Sequence, residues 1–113
     1  MTEQSAAREW LTIPDLVERL GLSVSRVRRL IEDRQLAAVR VDGVLKVPAD
    51  FIKDGEPLTE LRGTLIVLGD DGFDDDEAVA WLLEYDDTLG VAPIDALRAG
   101  RKAEVRRVAQ ALA

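Results

Sequence analysis

Cysteine and histidine are both missing from the 113 residues. Without cysteine there is no disulfide and no thiolate metal site, an absence that fits a reducing compartment. Without histidine the commonest general base and the commonest metal ligand are gone as well. These gaps argue against an enzyme, and no catalytic residue, metal ligand or cofactor is expected. Long apolar runs are also lacking. No stretch approaches the roughly 18–20 residues a helix needs to cross a bilayer, and no charged-then-apolar leader opens the chain. No membrane partner and a cytoplasmic location are therefore expected.

Apolar residues make up 47% and charged residues 33% of the chain, which suits one small globular domain or two sharing a core. The net charge of −7 would disfavour nucleic acid if it were spread evenly. It is not. Residues 1–55 hold nine Lys/Arg and nine Asp/Glu, whereas residues 56–113 hold six and thirteen. Between Arg19 and Lys46, seven basic residues face only Glu32, Asp33 and Asp42. The acidity belongs to the second half.

Residues 1–9 lack apolar periodicity and are expected as a flexible N-terminus. Thr12 then reads as a helix N-cap, with Asp15 at the third helical position completing a box. Ile13, Leu16, Val17 and Leu20 recur at i, i+3, i+4 and i+7, and Gly21 ends that helix. Ser23 caps a second helix, for which Val24, Val27, Leu30 and Ile31 are the expected buried stripe. Helix, short glycine turn and capped helix make a helix-turn-helix. Beyond it, AAVRVDGVLKVP alternates in a strand pattern broken at Asp42-Gly43, the dipeptide suited to a type I′ hairpin turn. Pro48 closes the second strand and introduces a short helix with Phe51 and Ile52. Asp54-Gly55-Glu56-Pro57 is the expected boundary. The second half reads as helices: one with Leu58, Leu61, Leu65 and Leu68 on a face and Gly69 as its stop, one from Asp75 to Glu84, one from Pro93 to Leu97, and one over Arg101–Leu112 with Val105, Val108 and Leu112 inward.

The second helix carries Arg26, Arg28 and Arg29. At about 100° per residue, Ser25 and Arg29 fall opposite the apolar stripe, Arg26 beside them and Arg28 on the flank. Ser25, Arg26 and Arg29 are then candidates for base edges in a major groove, and Arg28 for a phosphate. A solvated face explains the arginines alone equally well; the preceding helix and turn, with the hairpin behind, favour DNA. The segment LTIPDLVERLGLSVSRVRRLIEDRQLAAVRVDGVLKVP resembles the winged helix-turn-helix of excisionases and mercury-resistance-type regulators. That resemblance implies a recognition helix over residues 23–33 in the major groove and a hairpin over residues 38–47 on the backbone. It places Arg28 at a backbone contact and Arg40 and Lys46 on the wing; Ser23, at the start of the recognition helix, is a further candidate for DNA contact. The wing tip reads Asp-Gly-Val here, where the resembled pattern has Gly-Arg-Arg.

The run GDDGFDDDE, residues 69–77, does not place acids at the positions an EF-hand requires. Asp74 as an N-cap, Glu77 as its capping-box partner and the other acids at a helix N-terminus account for it. Further on, the spacing of Trp81-Leu82, Leu89-Gly90, Pro93-Ile94, Leu97 and Gly100 is similar to the toxin-binding C-terminal unit of Xre/MbcA/ParS-type antitoxins. As a tandem, the two halves resemble a family of small actinobacterial DNA-binding proteins with a family-specific helical C-terminal domain. The expected fold is mainly α: a winged helix-turn-helix with a two-stranded wing at residues 10–55, and an acidic helical bundle at residues 56–113. The expected function is double-stranded DNA binding in transcription regulation at the nucleoid. The alternative is an antitoxin-like adaptor binding a protein, or a second copy of itself, through residues 56–113, with Trp81 and Tyr85 as contact candidates.

Overall fold

The structure, a computed structural model, describes residues 8–112. Residues 1–7 of the expected flexible N-terminus lie outside it. At the end of that stretch Arg8 and Glu9 are tied down, contrary to expectation. The Arg8 guanidinium donates to Asp50 at 2.6 Å and Asp95 at 3.0 Å, and the Glu9 carbonyl accepts from the Ala49 N–H at 2.9 Å.

Strand β1 (Trp10–Thr12) leads directly into α1 (Ile13–Leu20), and α2 (Val24–Glu32) follows after a three-residue turn. Strands β2 (Val39–Val41) and β3 (Val44–Pro48) form the hairpin. The wing is therefore a three-stranded antiparallel sheet in the order β1-β3-β2, one strand more than expected. Trp10 pairs with Pro48, Leu11 with Val47 and Thr12 with Lys46. This added strand places fully buried Val47 and nearly buried Leu11 on the core face.

Capping follows the expected chemistry. The Asp15 N–H donates to the Thr12 hydroxyl and the Thr12 N–H to the Asp15 carboxylate. Gly21 sits at φ +67°, and Asp42 and Gly43 take the two positive φ values that a type I′ turn demands.

A single-turn 3₁₀ helix (Ala49–Phe51) brings Phe51 into the centre of the molecule. The expected boundary at Asp54–Pro57 is a second hairpin. Strands β4 (Ile52–Lys53) and β5 (Glu56–Pro57) pair across Asp54 and Gly55, both at positive φ. Helices α3 (Leu61–Asp70), α4 (Asp75–Leu83), α5 (Pro93–Arg98) and α6 (Lys102–Gln110) complete the fold.

Three details depart from the sequence pattern. Leu58 is buried but precedes α3, its N–H bonded to the Phe51 carbonyl. Gly69 lies inside α3, and the helix stops at Gly72, where the Gly72 and Phe73 N–H groups close onto the Gly69 and Leu68 carbonyls. At the end of the chain Leu112 is exposed, and Ala109 takes the inward place beside Val105.

The two halves share one hydrophobic core running from Leu11, Leu16 and Val27 through Phe51 to Leu65, Leu82, Ile94 and Val105. The Arg98 guanidinium on α5 donates to the Asp50 and Ile52 carbonyls at 2.9 and 2.7 Å, and Lys53 donates to the Arg98 carbonyl. The radius of gyration is 13.4 Å, that of one compact body of this length (about 13 Å) rather than of two separate beads.

Candidate nucleic-acid interface

The pose of α2 is set by its buried side. Val27 has no exposed surface, Leu30 and Ile31 are half-buried against the core, and α1 packs across the same side. The Ser23 hydroxyl caps the helix by accepting from the Arg26 N–H at 3.2 Å. A helix anchored this way has one free face. Ser23, Ser25, Arg26, Arg28 and Arg29 are all exposed on it.

Val24 departs from expectation. It stands 48% exposed on the first turn, outside the stripe it was assigned to. The reason is geometric: the first residue of a capped helix precedes the turn that packs on the core, so matching the stripe's phase is not enough to bury it.

The charges around α2 differ from those elsewhere. Arg8 is paired with Asp50 and Asp95, Arg19 with Glu9, and Arg101 with Glu104. Among the described residues, none of Arg26, Arg28, Arg29, Arg40 and Lys46 joins an ion pair. Helices α1, α4, α5 and α6 carry acids in their first turns; α2 and α3 carry none. An acid there would favour the helix itself by about 0.3–1 kcal/mol, yet it would repel a polyanion approaching that end. Glu32 and Asp33 sit at the opposite end, where the Asp33 carbonyl accepts from Arg62 of α3 at 3.0 Å.

The wing contributes less positive charge. Arg40 is exposed on β2 and its guanidinium reaches back to the Gly43 carbonyl at 3.4 Å. Lys46 is half-buried on β3, one strand across from Thr12, and lies near the first turn of α1. There the Thr12 backbone N–H, then its side chain, hold the Asp15 carboxyl below the usual carboxylate range, with the charges of Arg19 and Lys46 adding to the effect. The tip itself is Asp42-Gly43 followed by Val44, which is 46% exposed.

Trp81 and Tyr85 differ in exposure. Trp81 is half-buried on α4 and packs against the core, whereas Tyr85 lies past the end of α4 and is 62% exposed. Tyr85 borders an open groove of about 680 Å³ that Arg8, Asp50, Asp95 and Arg98 also line. Of the acidic run, Asp74 accepts from the Glu77 N–H at 2.8 Å and Glu77 from the Asp74 N–H at 3.0 Å, the expected capping box. Among the described residues no cluster of acids is arranged to hold a metal, and no helix is long and apolar enough to cross a membrane.

This arrangement, a capped recognition helix beside a three-stranded wing and fused to a helical half, has close counterparts. Residues 5–52 match the family described as the winged helix-turn-helix domain of DNA-binding protein Rv2175c, and residues 58–113 match its C-terminal domain of unknown function. DNA-binding protein Rv2175c of Mycobacterium tuberculosis is 34% identical over 114 aligned positions, covering 89% of this chain and 78% of that protein. The chain belongs to the Rv2175c family. The NMR structure of Rv2175c superposes with a TM-score of 0.86 at 32% identity, covering 95% of this chain and 82% of that one. An excisionase of Streptomyces ambofaciens is 41% identical over 46 residues, which are 41% of this chain and 74% of the excisionase.

Proposed function

We propose that the chain regulates transcription by binding double-stranded DNA, with α2 in the major groove and the β2–β3 hairpin along the backbone. One observation carries this reading: the face of α2 left free by the burial of Val27 presents Arg26, Arg28 and Arg29 unpaired among the described residues. Arg26 and Arg29, with Ser25, are assigned to base edges, and Arg28 and Ser23 to the phosphates that fix register. Arg40 and Lys46 supply the wing's backbone contact. Membership of the Rv2175c family supports the reading, since the Mycobacterium tuberculosis relative is named a DNA-binding protein and the Streptomyces relative an excisionase. The protein acts without an enzymatic step, and its place is the nucleoid.

Titration of a labelled duplex at two salt concentrations tests this. Wild type should lose affinity steeply as salt rises, and Arg26→Ala/Arg29→Ala should bind at least about tenfold more weakly. Equal binding by the two proteins would remove α2 from the interface.

The exposure of Tyr85 favours a second role, contact with a protein through residues 56–113. Sedimentation of the full chain beside Tyr85→Ser tests the case in which that protein is a second copy. Identical monomeric profiles would exclude self-association at this tyrosine.

A further inference from the structure

Val24 is a large apolar side chain placed where the helix gains nothing from it. It is 48% exposed, so the core does not need it, and a β-branched residue is a poorer helix former than alanine. It belongs to the first turn of α2, about 40° in helical phase from Arg28 and so on the flank of the arginine face. Among the described residues the other exposed large apolar side chains are Val44 on the wing, Ile66 on α3, and Tyr85 and Leu112 in the second half. Val24 is the one on α2. In a major groove the chemistry that matches a branched aliphatic group is the thymine 5-methyl, the single apolar feature on any base edge.

We infer that Val24 is a specificity residue that reads one thymine through its methyl group. This rests on the DNA-binding reading above and adds a base preference to it. Arg26 and Arg29 then recognise hydrogen-bonding edges from the free face, and Val24, on its Arg28 flank, distinguishes thymine from cytosine and uracil by contact alone.

The test starts from duplexes selected by the wild-type full chain from a random pool. Each thymine of the enriched sequence is replaced in turn by deoxyuridine, which keeps the pairing and removes only the methyl. Wild type should lose about fourfold in affinity at one position, the worth of one buried methyl-sized group. Val24→Ala, at an exposed site where alanine favours helix, should keep the wild-type melting curve. It should bind the thymine and deoxyuridine duplexes alike, with the affinity wild type shows for the deoxyuridine duplex. Indifference of wild type to every replacement, enrichment of no thymine, or an undiminished thymine preference in Val24→Ala would each overturn the inference. If wild type enriches no duplex and Arg26→Ala/Arg29→Ala binds as wild type does, the DNA-binding reading falls along with it. Loss through the double arginine variant without any methyl effect would remove Val24 alone.

Discussion

Arg34 holds a φ of +64° immediately after the last residue capping α2, in a place where glycine is the common occupant. The closing pattern is complete: the Arg34 N–H bonds to the Ile31 carbonyl and the Gln35 N–H to the Leu30 carbonyl. The backbone therefore bears left-handed strain for the sake of a side chain. That side chain lies over α3, close enough that a Cβ at Gly69 would stand 3.3 Å from its Nη1, and it approaches Asp75 at 4.0 Å. Comparing Arg34→Gly with Arg34→Ala separates the two effects, since both lose the guanidinium and only alanine keeps the strain. The glycine variant should be the more stable by about 1 kcal/mol in urea unfolding. Two carboxylates make the pH prediction. Asp15 and Glu104 both titrate below their ordinary range, the first through hydrogen bonds from Thr12 and the second through its hydrogen bond from Arg101. A depressed folded-state pKa gives stability that is complete above the unfolded carboxylate pKa and is lost as pH falls through the folded one. Stability should thus decline as pH falls from the usual carboxylate range toward the lower folded-state values, and Asp15→Asn should flatten that decline.

At the scale of elements, α2 depends on its cap more than on its composition. No acid supports its first turn, so the Ser23 hydroxyl is the side-chain acceptor serving its free N–H groups. Ser23→Ala should cost about 1 kcal/mol of stability, measured by thermal unfolding. It should also weaken DNA binding, because a frayed first turn no longer holds Val24, Ser25 and Arg26 in place. The wing shows the opposite economy. Its β-turn is well specified by Asp42-Gly43, yet it offers DNA little charge beyond Arg40 and Lys46. Arg40→Ala should accordingly lower the salt slope by about one unit, with little change in sequence preference.

For the molecule as a whole, the shared core means that the DNA-binding half and the helical half stand or fall together. Burial works against the charge on Arg8, but hydrogen bonds and charges from Asp95 and Asp50 outweigh it and raise its pKa, tying Arg8 to α5. Phe51 is enclosed by residues from both halves. Ile94→Ala, deep in α5, should cost about 2–5 kcal/mol and should abolish DNA binding at temperatures where the wild type still binds. Circular dichroism and binding should then be lost in a single transition. Two separate transitions would show that the halves unfold independently.

Local chemistry was legible from the sequence where each cause lay within a few residues of its effect. The two caps, Gly21, the Asp42-Gly43 turn, the Asp74–Glu77 box and the phase of Arg26, Arg28 and Arg29 around α2 are all of this kind. Contacts between distant residues decided the rest. Strand β1 exists because Trp10–Thr12 find β3 more than thirty residues away, a pairing that a three-residue stretch cannot announce. Gly69 is no terminator, and its lack of a side chain makes room for Arg34. Asp54–Pro57 reads as a break by composition, but its turn residues close a hairpin that Lys53 and Arg98 join to α5. Val24 matches the buried stripe in phase and is exposed because the core ends one turn later. By itself the sequence determined which helices form and which faces they turn inward, since periodicity and capping act over one or two turns. Only the tertiary structure decided which positive charges were left unpaired and which apolar side chain stood out beside them, because both depend on which partners folding brings within reach.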